Sequence, residues 1–164
     1  MMLEGFAYAV VLGVGATALL DLWAQLLKAV MGYPPPNWGM VGRWFAHLPR
    51  GTFFHHGIGQ SAPVNGEMAI GWTMHYVVGI VFAAALLLIW GVEWVHAPRF
   101  IPAWIVGLVT VGAGWFILQP GMGAGVAASK TANPTRARVL NIVGHTVFAI
   151  GLYGTALLIN AAQR

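Results

Sequence analysis

The sequence predicts an all-α membrane protein built as a bundle of four transmembrane helices. Hydrophobic residues make up 59% of the 164 residues, and only 7% are Asp, Glu, Lys or Arg. A soluble domain carries about 25% charged residues, so this chain cannot cover a water-facing surface. Four apolar windows also reach the roughly 20 residues that cross a bilayer. We therefore expect one integral membrane domain over residues 1–164.

The four spans are bounded by helix-breaking residues. We predict them at about residues 5–30, 68–90, 101–119 and 139–161. Three prolines beginning at Pro34 follow the first span, Pro120 closes the third, and Asn133-Pro134 marks a turn before the fourth. Two long loops follow, at about residues 31–67 and 120–138. The first is long for a connection between helices, which is weakly indicative of function.

Basic side chains concentrate in the two long loops, and the positive-inside rule places these loops in the cytoplasm and both termini outside. The loops and their edges carry Lys28, Arg43, Arg50, Lys130, Arg136 and Arg138, against Arg99 and Arg164 on the other side. The net charge of +4 includes no basic run, so it indicates contact with membrane lipids and not nucleic acid. Cysteine is absent from the sequence, which excludes disulfides and thiolate metal sites.

The second and fourth spans resemble each other. His75 begins the segment HYVVGIVFAAALLLI, His145 begins HTVFAIGLYGTALLI, and Val-Gly-Ala occurs at both 14–16 and 111–113. Two copies of a helix hairpin in parallel orientation would explain this pattern. Chance similarity between apolar segments explains it equally well.

Three ionisable side chains, Asp21, His75 and His145, each lie in a different span. Such residues are costly inside a bilayer unless they face the protein interior, so they usually mark a site. At about 1.5 Å per residue, all three lie roughly 10–15 Å from the cytoplasmic side. Further polar residues lie on the same helix faces at helical spacing. Together these faces predict a polar pocket that opens toward the cytoplasm. The candidates for substrate or proton binding are Asp21, Gln25, Glu67, His75, Gln119, Asn141 and His145.

Three chemistries and one structural role remain open for this pocket. Asp21 beside an imidazole could carry protons, alone or with a solute. Asp21, His75 and His145 could instead ligate zinc or iron(II). His75 and His145 could also hold a haem b, since Gly71 and Gly79 would admit a flat macrocycle. A polar clamp between helices needs no ligand, because histidines hydrogen-bond across helices and glycines permit close packing.

Three weaker signals have simpler explanations. Gly123–Ala128 and Ser129–Thr131 resemble phosphate-binding loops, but a membrane span precedes them where a β-strand is required, so no nucleotide is expected. His55 and His56 follow two phenylalanines and are expected at the headgroup interface. Five tryptophans near the span ends are expected to anchor there as well: Trp38, Trp44, Trp90, Trp94 and Trp104.

Short motifs spread over most of the chain point to one family. They are Gly15-Ala-Thr-Ala with Asp21-Leu-Trp23, Val41-Gly-Arg43-Trp44, Gly66-Glu67, Ile70-Gly-Trp72, His75-Tyr76, Gln119-Pro120, Gly123-Ala-Gly125, Ala127-Ala-Ser-Lys130-Thr131, and His145 with Gly151-Leu-Tyr153. Together they resemble a bacterial inner-membrane family, the domain of unknown function 2938. The resemblance implies a four-span protein of the inner membrane and supplies no established activity or cofactor. The residues that carry the resemblance also include Arg43 and Lys130, whose positive charges would suit an anionic substrate or a lipid headgroup.

The leading hypothesis is a pocket that binds or transports a small solute or a proton. The main alternative is a membrane-embedded enzyme or redox protein with metal or haem at His75 and His145, so enzymatic activity is left open. Four helices make a narrow bundle, and a transport path could require a homodimer. For such a dimer, the sequence offers close-packing faces at Gly13 and Gly107.

Overall fold

Long helices dominate the computed structural model, which describes residues 2–163. In chain order the α-helices are α1 (Met2–Met31), α2 (Trp38–His47), α3 (Glu67–Trp90), α4 (Phe100–Ala113), α5 (Gln119–Gly121) and α6 (Pro134–Ala162). A π-helical segment, Gly114–Leu118, joins α4 to α5. The described residues contain no β-strand, so the predicted all-α class is confirmed.

Four helices are long and apolar enough to cross a membrane. They cover Leu3–Met31, Glu67–Trp90, Phe100–Gly121 and Pro134–Ala162, and these bounds contain the four predicted spans. Large apolar side chains project from them, with Leu88 and Leu158 exposed by 86% and 73%. Lipid is the solvent that favours such surfaces, so the chain is a multi-pass membrane protein.

Helix α2 lies inside the loop expected over residues 31–67. Asn37 begins it, because the Asn37 side chain accepts a hydrogen bond of 3.1 Å from the backbone N–H of Met40. One face of the helix is buried and includes Val41, Arg43 and Trp44. The sequence analysis did not predict this helix, because its 10 residues are too few to span a bilayer.

The chain groups into two compact units, which are described separately. Unit 1 comprises Met1–Pro35, Tyr76–Thr110 and Val143–Arg164, and unit 2 comprises Pro36–His75 and Val111–Ile142. Helix α1 belongs to unit 1 and α2 to unit 2, whereas α3, α4 and α6 contribute residues to both.

Unit 1 packs parts of the four long helices around small and aliphatic side chains, with Leu12 and Leu86 fully buried. A side chain at Gly13 would clash with the backbone of Ile80, and one at Gly107 would clash with the carbonyl oxygen of His145. Both glycines therefore allow close contact between helices of the same chain.

Unit 2 packs α2 and the loops against short helical segments. Trp44 is only 6% exposed, and its indole N–H donates to the carbonyl of Phe53 at 2.9 Å. The backbone N–H of His55 donates to the carbonyl of Gly121 at 2.9 Å, which ties the two loops together. Trp44 is thus a core residue of unit 2 and does not have the lipid-facing position expected of an interfacial anchor.

Candidate functional site

Asp21 lies within α1, and its carboxylate contacts a side chain of α3. The hydroxyl of Tyr76 donates a hydrogen bond of 2.9 Å to Oδ2 of Asp21, and both residues belong to unit 1. A phenol supplies a hydrogen bond and no charge. Tyr76 therefore orients the carboxylate of Asp21 without neutralising its charge.

His145 of α6 is held by backbone and hydroxyl groups of α4. Its Nδ1 lies 3.0 Å from the carbonyl oxygen of Gly107 and 3.2 Å from Oγ1 of Thr110. The Thr110 hydroxyl donates to the same carbonyl at 2.8 Å. A carbonyl only accepts, so Nδ1 of His145 carries the proton. In the neutral ring, Nε2 then keeps a lone pair that can accept a proton or ligate a metal.

His75 of α3 belongs to unit 2, where it stacks on α2. Its ring lies 3.9 Å from that of Trp38, centroid to centroid, at an interplanar angle of 26°. The ring of Trp72 meets it edge-on at 6.0 Å. These contacts fix the plane of the imidazole, so the ring nitrogens can act only in that plane.

Arg43 and Glu67 form a two-pronged ion pair in unit 2. Nε and Nη2 of Arg43 each donate at 2.8 Å to one carboxylate oxygen of Glu67. Nη1 of Arg43 donates to the carbonyls of Ile58 and Ser61 at 3.3 and 2.7 Å. The hydrogen bond with Glu67 raises the pKa of Arg43 above its ordinary value. The anion that this cation contacts is therefore part of the chain, and the pair ties α2 to the start of α3.

Gln119 and Asn141, two of the predicted site residues, meet in unit 2. Oδ1 of Asn141 accepts hydrogen bonds of 2.9 Å from the indole N–H of Trp115 and from Nε2 of Gln119. An indole nitrogen can only donate, which fixes the orientation of the Asn141 amide and hence that of Gln119. Oε1 of Gln119 is left buried without a hydrogen-bond partner.

A pair of histidines joins α2 to the loop that follows it. Nδ1 of His47 lies 2.8 Å from Nε2 of His55, and Nδ1 of His55 lies 3.0 Å from the carbonyl oxygen of Gly121. Since the carbonyl accepts from Nδ1 of His55, a neutral His55 accepts from His47. Burial, followed by the repulsion of His55, lowers the pKa of His47. This pair connects α2 to the loop that follows it, and neither histidine was among the predicted site residues.

The remaining two predicted site residues are exposed. Gln25 lies near the end of α1, and Lys130 lies in the loop before α6. The backbone of that loop is bonded internally, with the N–H of Lys130 donating to the carbonyl of Ala124 at 2.9 Å. Lys130 therefore presents its charge from an ordered segment.

The predicted site residues come from both units. Asp21 and His145 belong to unit 1, where they contact Tyr76 and Gly107, and His75 belongs to unit 2. Within residues 2–163, no three His, Cys, Asp or Glu side chains form a group that could hold a metal ion. The sequence analysis missed Tyr76, Thr110 and Trp115 as partners. Each could have been found as a side chain with a polar hydrogen that lies in a span near a predicted site residue. Tyr76 follows His75, Trp115 lies four residues before Gln119, and Thr110 lies three residues after Gly107, the contact of His145.

These features define a class: an all-α, multi-pass membrane protein with hydrogen-bonded polar side chains inside its spans. The model of a family described as protein of unknown function (DUF2938) matches residues 10–159, so the chain belongs to that family. The resemblance seen in the sequence motifs is thereby confirmed. No curated protein and no solved structure matches the chain.

Proposed function

We propose that this protein binds a small solute or a proton and carries it across the bacterial inner membrane, with Asp21 as the binding group. The observation that supports this function is the hydrogen bond from Tyr76 to Asp21 between two membrane-spanning helices. Carboxylates inside spans are rare, and they commonly mark ion pathways and proton relays. A carboxylate oriented by a neutral donor is suited to exchange a proton or hold a cation.

His145 is the second group in this proposal. The Gly107 carbonyl holds the proton on Nδ1, so Nε2 of the neutral ring is the atom that accepts a further proton. His75, Gln119 and Asn141 lie within the spans and belong to unit 2, and they remain predicted solute-binding groups. Lys130, which is exposed, is the candidate for an anionic substrate or lipid headgroup.

One observation also favours the alternative, a membrane-embedded redox protein or enzyme. A histidine that ligates a metal usually donates its other ring N–H to a backbone carbonyl or carboxylate. His145 has this arrangement with Gly107. The visible spectrum and metal content of the purified protein test this alternative. A Soret band, or a bound metal that His145→Ala removes, would support it against the solute-binding function.

Proton flux into liposomes that contain the purified protein tests the leading proposal. A trapped pH-sensitive dye reports the flux under an imposed pH gradient. We expect the wild-type protein to conduct protons and Asp21→Asn to fall to the level of protein-free liposomes. Glu93→Gln is the matched control, because it removes an exposed carboxylate from the loop between α3 and α4.

Two results would count against this function. Equal proton flux in Asp21→Asn and wild-type liposomes removes Asp21 from the path. A wild-type protein without flux, combined with an Asp21→Asn variant whose only defect is a lower unfolding temperature, assigns the pair to a structural clamp. Because Asp21→Asn is expected to be less stable, its flux is measured well below its own unfolding temperature, so that loss of flux does not reflect misfolding.

A further inference from the structure

The imidazoles of His47 and His55 meet end to end. Their ring centroids lie 5.1 Å apart, and their planes are inclined by 25°. Nδ1 of His47 and Nε2 of His55 are only 2.8 Å apart, so a centroid separation of this length requires both nitrogens to lie close to the line that joins the centroids. The proton on one nitrogen therefore points at the lone pair of the other, which is favourable geometry for a hydrogen bond.

Gly121 decides where the protons of this pair lie. Its carbonyl oxygen lies 3.0 Å from Nδ1 of His55 and also accepts the backbone N–H of His55 at 2.9 Å. Nδ1 of His55 is therefore protonated, and in the neutral pair Nδ1 of His47 donates to Nε2 of His55. Nε2 of His47 is then the ring nitrogen that keeps its lone pair, so an added proton joins the pair there.

The pair accommodates one added proton without a change in its hydrogen bonds. A proton on Nε2 of His47 leaves the bond to His55 intact and makes it charge-assisted, which strengthens it. A second added proton must take the lone pair on Nε2 of His55, which is the lone pair that accepts from His47. Two N–H groups on charged rings would then face each other across 2.8 Å. The second proton therefore breaks the contact.

The charged groups around the pair are mostly cations. Burial is the largest cause that lowers the pKa of His47, and neighbouring cations lower it further. The groups that act on His47 are, in order, His55, Arg50 and Arg43, with Glu67 acting in the opposite direction. His56 is exposed, and residues 119–125, on the other side of His55, include no titratable side chain. This surplus of positive charge adds to the repulsion that a second proton meets.

We propose that His47 and His55 form a proton-operated clasp, in which the first added proton is shared between the two rings and the second separates them. His55 extends the contact to Gly121, which ends the short helix α5 that begins at Gln119, a predicted site residue. Opening of the clasp in acid removes this link between α2 and the turn that carries Gln119. The clasp lies in unit 2, and its action does not depend on the role proposed for Asp21.

NMR of the protein with ¹⁵N-labelled histidine, recorded in micelles from about pH 8 to about pH 4, tests the clasp. The ¹⁵N shifts report the protonation of each ring nitrogen, and His47→Gln and His55→Gln assign them. We expect two titration steps separated by more than about one pH unit. In the first step, Nε2 of His47 takes up a proton and the scalar coupling across the hydrogen bond to His55 persists. In the second step, both rings are imidazolium and this coupling disappears.

Two variants keep this test specific to the pair. His55→Gln replaces the ring with an amide that can accept from His47 and cannot become charged, so His47 should titrate in a single step. His56→Gln is the matched control, because it removes an exposed neighbouring imidazole and should leave both steps in place. Identical titration of His47 in wild type and His55→Gln would overturn the clasp. If His55→Gln does not fold, loss of the coupling at the first step of the wild-type protein would overturn it as well.

Hydrogen exchange measures the opening itself. The amide of Thr52 donates to the carbonyl of His47 at 3.3 Å, and the amide of Val41 donates to that of Asn37 at 3.2 Å at the other end of α2. With rates corrected for the intrinsic effect of pH, Thr52 should lose protection below the second step while Val41 keeps it. In His47→Gln, both amides should stay protected. Unchanged protection of Thr52 in the wild-type protein would show that the second proton does not open the clasp.

Discussion

Tyr76 and Asp21 are separated by 55 residues, and a hydrogen bond of 2.9 Å joins their side chains. The bond links α3 to α1 within unit 1 through groups that lie inside membrane-spanning helices. Since the phenol brings no charge, the bond orients the carboxylate without neutralising it. This relationship underlies the function proposed for the protein.

The first prediction concerns the strength of this bond. Tyr76→Phe and Asp21→Asn should each lower stability, and the double variant should be less destabilised than the sum of the single effects. Hydrogen bonds between membrane helices contribute roughly 0.5–2 kcal/mol, so we expect a coupling free energy in that range. Unfolding in mixed micelles measures the four free energies. Additive effects of the two substitutions would show that the contact contributes no coupling.

The ion pair of Arg43 with Glu67 yields a second prediction. Arg43→Lys should lower the unfolding temperature although it keeps the charge, because an ammonium cannot donate to both carboxylate oxygens and two carbonyls in this fixed geometry. Arg43→Met should lower it further, because it removes the counter-charge of Glu67.

The exposed Arg136 offers a matched control. Arg136→Lys and Arg136→Met should change the unfolding temperature less than the corresponding substitutions of Arg43. If Arg43→Lys has the same unfolding temperature as the wild-type protein, the two-pronged geometry of the ion pair has no role in stability.

A third prediction is that acid destabilises unit 2 through His47. Its pKa is lowered in the folded protein, so the unfolded chain binds more protons at mildly acidic pH. This stability contribution is complete above about pH 6.5, the ordinary value for histidine, and is lost as pH falls toward the lower folded-state pKa.

Thermal unfolding between about pH 8 and pH 5 in detergent measures this effect. His47→Gln should flatten the pH dependence, and His56→Gln, at an exposed neighbouring position, serves as the control. Identical pH profiles for His47→Gln and wild type would refute the prediction. His55, Arg50, Arg43 and Glu67 also act on His47, so their variants should shift the profile.

The fourth prediction concerns the amide contacts in unit 2. Asn141→Leu leaves the indole N–H of Trp115 and the amide N–H of Gln119 without their acceptor. A buried donor that loses its partner costs about 1–3 kcal/mol, and these two donors are half-buried, so this variant should be destabilised. Asn160→Leu removes an exposed hydrogen bond to the carbonyl of His96 and should have a smaller effect. Chemical unfolding measures both, and equal effects would contradict the assignment.

The last prediction is the topology. The positive-inside rule predicts periplasmic termini and cytoplasmic loops over about residues 31–67 and 120–138. A reporter at the C-terminus that is active only in the periplasm should therefore be active, and one fused within the loop near Lys130 should be inactive. The opposite pattern would show that the protein has the inverted orientation, in which Asp21 lies nearer the outer surface.

Much of the architecture was predictable because it depends on local composition. Apolar windows of about 20 residues can satisfy their backbone groups in lipid only as helices, so the four spans followed directly. Helix α2 was not predictable in the same way, because its 10 residues are stabilised by burial of Trp44 and Arg43. The roles of Gly13 and Gly107 also depended on neighbours, since a close-packing surface does not reveal which helix it contacts.

The sequence by itself determined that this is a four-span, all-α protein of its family and that Asp21, His75 and His145 are polar residues in apolar helices. Only the tertiary structure decided their contacts: Tyr76 for Asp21, Trp38 for His75 and Gly107 for His145. The physical reason is the distance along the chain over which each interaction acts. Helix formation depends on residues within a few turns, whereas a hydrogen bond joins groups tens of residues apart whose meeting requires the packed helices.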